Sequence, residues 1–267
     1  MEYLQYRIPV STEFSEVFSH FYFAENRSEH SITKTLLPSY QTILIFSFGA
    51  SAFLYTEEEQ IQVNKCIVLG PIKKAFTYSL LPSTQLLVAN FKDDAFYRFF
   101  GSSTIAENLP LDPDSLLEEN CFTILRDGMA QFKDPVDQVN YILSFCKPYL
   151  KERNVVVEKL VHLKHSAYNP IKKVADNENL SERSIQLNHK KYLGYSAKEL
   201  TRYQRFLKAI EMIQSIATKA TKNDWFEIID KCGYYDQSQL INDFNYYINL
   251  SPAKYLKLQC DICNPIS

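Results

Sequence analysis

Long apolar runs are missing from this chain. Although 46% of its 267 residues are hydrophobic, stretches such as Ile43-Leu44-Ile45-Phe46 are far too short to cross a bilayer, which takes about 20 residues. The sequence starts with Glu2 and lacks a basic-then-apolar leader, so a cytoplasmic protein with no membrane partner is expected. Cysteine clusters are also missing. The six cysteines, Cys66, Cys121, Cys146, Cys232, Cys260 and Cys263, are scattered and read as reduced thiols rather than a disulfide framework. Cys260 and Cys263 alone have ligand-like spacing, with no second pair and no neighbouring histidine to complete a zinc site. The histidines are His20, His30, His162, His165 and His189, and none falls in the strand-like runs after Tyr40. A Gly-rich phosphate loop and any Ser/His/Asp or paired-His arrangement are absent as well. These gaps argue against catalysis, and no cofactor or metal is expected.

What is present is a division of charge. Residues 1–152 carry 12 basic and 19 acidic side chains, whereas residues 153–267 carry 17 and 12. A net charge of -2 for the whole chain therefore conceals an acidic first half and a basic second half. The second is the one suited to phosphates. The length suits two domains, expected at 1–150 and 151–267.

The first part reads as short strands. Tyr40 to Phe48, Ala52 to Tyr55, Ile61 to Val63, Cys66 to Leu69, Phe76 to Tyr78 and Gln85 to Phe91 are β-branched or aromatic runs. Gly49, Glu57-Glu58-Glu59, Gly70-Pro71 and Leu81-Pro82-Ser83 break them apart. Such strands close most readily into a small barrel or sandwich. After Asp93-Asp94 the period becomes helical: a short helix ends at Gly101, and helices follow over Leu116 to Phe132 and Val136 to Leu150. Aromatic residues Phe46, Phe48, Tyr55, Phe76 and Tyr78 are candidates to line a ligand pocket, although aromatics on alternating strands more often form core.

The second part carries the most informative motifs. Leu180-Ser181-Glu182-Arg183-Ser184-Ile185-Gln186 offers Ser181 as N-cap of a helix to Tyr192, with Arg183, Gln186, Leu187 and Lys190 on one exposed stripe. Ser196 and Glu199 form a capping box. From there Leu200, Tyr203, Phe206, Leu207, Ile210 and Ile213 recur at helical spacing. Asp224 and Glu227 suggest a further helix start, and Gly233 a left-handed turn. A second exposed helix from Asp236 then displays Gln237, Ser238, Gln239, Ile241 and Asn242, before Leu250-Ser251-Pro252-Ala253-Lys254-Tyr255.

Two such units joined by a long amphipathic helix resemble the DNA-binding domain of AraC/XylS-type bacterial transcription regulators. The resemblance covers about residues 153–258, with helix-turn-helix units at about 170–193 and 224–248 and a linker helix at about 196–214. The N-terminal part, above all the segment from Val68-Leu69-Gly70-Pro71 through Ala95-Phe96-Tyr97-Arg98-Phe99-Phe100-Gly101, resembles the cupin-like sensory domain of many such regulators. The implied fold is α+β: a small N-terminal β-barrel with following helices, then an all-α double helix-turn-helix domain.

The implied function is sequence-specific binding of promoter DNA through two recognition helices in successive major grooves, about 34 Å apart. Ser181, Arg183, Ser184, Gln186, Leu187 and Lys190 would serve the first groove, and Gln237, Ser238, Gln239, Ile241 and Asn242 the second. Arg183 suits guanine, Gln186 and the second helix's amides suit adenine, and Lys190 suits a phosphate. A small-molecule effector, a second copy of the chain and RNA polymerase are the further partners the resemblance implies. Leu187 and Asn242 stand where the family often has arginine, His189 replaces its usual core phenylalanine, and Asn249 replaces its usual glycine. These departures keep open an interaction protein with degenerate units. An enzyme fused to a DNA-binding tail is the remaining alternative.

Overall fold

The computed structural model describes residues 2–55, 60–101, 111–117, 120–163, 170–216, 221–258 and 262–263. Cys260 and Asp261, Glu57-Glu58-Glu59 and His165 lie outside the described residues. The first part contains the strands β1 (Tyr3–Ile8), β2 (Phe18–Asn26), β3 (Ile32–Leu36), β4 (Ile43–Gly49), β5 (Ala52–Tyr55), β6 (Gln60–Val63), β7 (Cys66–Leu69), β8 (Phe76–Leu80) and β9 (Thr84–Phe91). They form two five-stranded sheets, ordered β1-β2-β9-β4-β7 and β10-β3-β8-β5-β6. The short β10 (Ile262–Cys263) runs parallel to β3, and the other pairings are antiparallel. The expected small barrel is thus a pair of sheets packed face to face.

Alternation along β4 and β9 builds two cores from one sheet. Ile43, Ile45, Leu86 and Val88 point between the sheets, where they meet Ala52, Leu54, Val63, Tyr78 and Leu80. Leu44, Phe46, Phe48, Leu87, Ala89 and Phe91 point the other way, onto a layer of helices. That layer comprises α1 (Ala95–Phe100), α2 (Pro113–Leu117), α3 (Cys121–Met129) and α4 (Pro135–Cys146). Gly101 closes α1 at φ 72°, and Asp134 caps α4 by accepting from the Val136 amide at 2.9 Å. A single helix over Leu116 to Phe132 is not observed: α2 and α3 are separate, and the Asp114 carboxylate starts α3 anew by accepting from the amides of Phe122 and Thr123 at 2.7 and 2.9 Å.

The second part consists of α5 (Val155–Leu163), α6 (Pro170–Glu178), α7 (Glu182–Leu193), α8 (Ala197–Gln214), α9 (Lys222–Cys232), α10 (Gln237–Ile248) and α11 (Pro252–Leu258). Its larger core reaches back into the sheet domain by taking in Leu37 and Tyr40. Tyr40, at φ 56°, stacks on Tyr203 of α8 with ring centres 4.3 Å apart and meets Tyr195 edge-on at 5.1 Å. The Tyr203 hydroxyl donates to the Pro38 carbonyl at 2.6 Å, and the Ala75 amide donates to the Tyr247 carbonyl of α10 at 2.7 Å. Lys73 bonds Glu199 at 2.9 Å. Arg153 holds the buried Asp94 at 2.8 Å. No helix among the described residues is long and apolar enough to cross a membrane.

Burial of the Tyr40 ring is what couples the two parts. Tyr40→Ala should cost about 3 kcal/mol and split thermal unfolding into two calorimetric transitions. One cooperative transition with an unchanged midpoint would contradict this coupling.

Candidate nucleic-acid interface and effector cavity

The first helical unit is α6, a turn and α7. Ile171, Val174 and Ala175 of α6 pack with Ile185 of α7 and Leu160 of α5. The turn passes through Asn179 at φ 52°, a left-handed conformation that asparagine tolerates. Ser181 is the N-cap, its hydroxyl accepting from the Ser184 amide at 3.2 Å. Gly194 ends α7 at φ 80°, a position where a side chain would be strained. Between these caps Arg183, Gln186, Leu187 and Lys190 are all exposed and Ser184 is half-buried. Leu187 is 62% exposed. His189 is buried, and its Nδ1 donates to the Tyr195 carbonyl at 2.7 Å. The imidazole thus packs and bonds where an aromatic hydrocarbon would only pack.

The unbroken helix α8 carries this unit to the next. Ser196 and Glu199 make the expected capping box: the Ser196 hydroxyl accepts from the Glu199 amide, and Glu199 Oε2 accepts from the Ser196 amide at 2.8 Å. Burial pushes the Glu199 carboxyl up, but the Lys73 ammonium and the Ser196 donors outweigh it and leave it below the usual range.

The second unit is α9, a turn and α10. Its start differs from the sequence expectation: Thr221, not Asp224, is the N-cap, and Asp224 is the third-position partner in a capping box. The helix begins one turn earlier, yet its inward face is unchanged, because facing depends on helical phase rather than on the first residue. Gly233 turns at φ 75°, Tyr234 is buried, and Asp236 caps α10 by accepting from the Gln239 amide at 2.8 Å. Asn249 closes α10 at φ 53°. Gln237, Ser238 and Asn242 are exposed and Ile241 is half-buried. Gln239 is drawn inward instead, its Oε1 accepting from the Tyr235 amide at 2.9 Å. It serves the cap in this arrangement.

Several functional residues were missed in the sequence. Asp243 of α10 is buried, with a 2% exposed residue surface. Arg202 Nε and Arg205 Nη2 of α8 hold its two carboxylate oxygens at 2.7 and 2.8 Å. The same guanidinium groups lie over Tyr246 and Tyr234, at 4.2 and 4.5 Å from the ring centres. Arg202 and Arg205 therefore lock α10 onto α8. The signal was the position of Asp243 beside Phe244 on the inward face set by Leu240 and Tyr247. Tyr235 is the other omission: it is 91% exposed beside the first turn of α10.

In the sheet domain, a cavity of about 70 Å³ lies between the sheets. Its walls are mostly apolar, including Leu36, Ile43, Ile45, Leu54, Phe76 and Val88, while Arg7, His20, Tyr22 and Asn90 supply polar atoms. Arg7 and His20 also border a cleft of about 610 Å³ that reaches Leu200, Gln204 and Leu207 of α8. Of the proposed pocket aromatics, Phe76 and Tyr78 line the cavity. Phe46 and Phe48 are corrected to the opposite face, within the core beneath the helices. Tyr55 ends β5 outside the cavity lining. Burial, reinforced by the Arg7 charge, pushes the His20 imidazole down to about 4.

Cys66, Asp112 and Asp114 also converge. The Asp114 carboxylate is occupied as the cap of α3, and burial pushes the Cys66 thiol up to about 12. This group is explained by helix capping.

No protein-family model matches the chain, and no curated protein does. Among solved structures, ToxT from Vibrio cholerae is similar at 13% identity, covering 89% of this chain and 98% of that one, with a TM-score of 0.46. The AraC-like transcriptional activator CuxR aligns at 9% identity over 85% of this chain and 91% of that one, with a TM-score of 0.28. A Cupin_2 domain of an XRE family transcriptional regulator from Enterobacter cloacae aligns at 6% identity over 34% of this chain and 99% of that one, at 0.27.

Asp243→Ala should destabilise the protein by about 2 kcal/mol, since it leaves two partly buried guanidinium groups unpaired; urea denaturation measures it. The His20 shift predicts a pH dependence. An unfolded histidine binds its proton near 6.5 and the folded one only near 4, so the unfolded state binds more protons between those values and stability falls as pH drops through that window. Thermal midpoints from pH 7 to 4 should therefore decline less for His20→Gln than for the parent, and an identical decline would contradict the assignment.

Proposed function

We propose that this protein is a sequence-specific DNA-binding transcription regulator of the AraC/XylS type, acting by binding rather than catalysis in the bacterial cytoplasm. The observation that carries this reading is a pair of capped helices, α7 and α10, held by one continuous helix. Each displays exposed groove-reading side chains: Arg183, Gln186, Leu187 and Lys190 on the first, Gln237, Ser238 and Asn242 on the second. At 18 residues, α8 is about 27 Å long. That length is commensurate with two reading helices one duplex turn apart.

A small-molecule effector is the proposed control. In the cleft it would touch Arg7 and His20 on one side and Leu200, Gln204 and Leu207 of α8 on the other. Its affinity would then depend on how the domains sit, the condition for coupling ligand to DNA. The cleft volume suits a small ligand. A second copy and RNA polymerase complete the proposed partners.

Selection of bound fragments from genomic DNA by the purified protein, at two salt concentrations, tests the reading. A shared motif with two elements about one helical turn apart is expected, and Arg183→Ala with Gln237→Ala should weaken its binding by at least tenfold. Equal retention of shuffled sequences would reject specificity.

A further inference from the structure

We propose that the two helical units divide DNA recognition by charge: α7 supplies the salt-dependent hold on phosphate, and α10 discriminates bases while neutralising no phosphate of its own. The inference rests on the DNA-binding reading above and assigns different roles to its two halves.

The exposed stripe of α7 contains two cations, Arg183 and Lys190, with Lys191 following. Between Gln237 and Ile248, α10 has no lysine or arginine. Its N-cap is Asp236, an anion set at the end that would approach the duplex. Four neighbouring cations on α8 and α9 are committed within the protein, whereas Lys254 and Lys257 of α11 are exposed. Arg202 and Arg205 are bound to the buried Asp243. Lys208 donates to the Lys231 carbonyl, and Lys231 itself pairs with Glu227 at 2.5 Å.

What α10 exposes is neutral: Gln237, Ser238, Asn242 and Asn245, with Tyr235 beside its first turn. Amides pair with the N6 and N7 edge of adenine, a contact that specifies sequence without releasing counterions. Phosphate neutralisation, in contrast, steepens the fall of affinity with salt by about 0.9 per contact. The two units should therefore separate cleanly in one experiment.

Full-length protein is titrated with its selected operator and with a shuffled duplex across a series of salt concentrations. Arg183→Gln with Lys190→Gln should weaken binding to both duplexes and flatten the salt slope by about 1 to 2. Gln237→Ala with Asn242→Ala should leave the slope and the shuffled duplex unchanged and weaken operator binding by about tenfold. Asn242→Arg should steepen the slope by about 0.9 on both duplexes.

All four substituted residues are exposed, and circular dichroism with thermal melts establishes that each variant is folded. The division is overturned if the Gln237 and Asn242 substitutions flatten the slope as much as those at Arg183 and Lys190, or if they leave operator affinity unchanged. Failure of the parent protein to select any shared motif is a separate result, which rejects the DNA-binding reading and this inference with it.

Discussion

Everything in the arrangement of this molecule depends on the stack of Tyr40 against Tyr203. Tyr40 leaves the sheet domain in a left-handed conformation, at φ 56°, that costs a bulky residue on the order of 1 to 3 kcal/mol. Burial among Tyr195, Tyr203 and Tyr247 compensates that cost. The contact falls on α8, the element on which both helical units are built. By holding α8, one ring fixes the sheet domain relative to both surfaces proposed to face DNA.

The linker is fixed at its other contacts by charge. Glu199 caps α8 and simultaneously receives Lys73 of the sheet domain, so one carboxylate both starts the helix and attaches it. Asp243 plays the corresponding part further along, joining α10 to α8 through two arginines. A carboxylate taken out of water needs nearly all its lone pairs satisfied, and the two-arginine fork meets that need while fixing the helix rotation. The units are therefore oriented by ionic contacts as well as by the apolar packing of Phe206, Leu240 and Phe244.

Local signals in the sequence were legible wherever a residue acts on its own neighbours. Ser181, the Ser196 and Glu199 pair, Gly194 and Gly101 mark helix ends through bonds or dihedrals that span a few residues. Asn249 keeps the left-handed stop that glycine would otherwise supply. Thr221 was missed because Asp224 with Glu227 offers the same box three residues later; both satisfy the local chemistry, and only the folded chain distinguishes them. Period 2 separated Phe46 and Phe48 from Ile43 and Ile45, but parity does not say which face looks toward a second sheet. Two of the five proposed aromatics, Phe76 and Tyr78, therefore line the cavity. The Asp243 fork and the Arg7 and His20 pair join residues distant in sequence; helical phase places Asp243 on an inward face, but no local pattern names its partners or announces the pair.

The short connection into β8 has an additional consequence. Ala75 donates its amide to Tyr247 on α10, and the next residue, Phe76, is part of the cavity wall. Lys73 and Lys74, immediately before, reach Glu199 and the Tyr246 ring. The route from the cavity between the sheets to α10 is thus one peptide bond long. It acts as a lever whose two arms are adjacent residues, with no intervening chain to absorb a displacement.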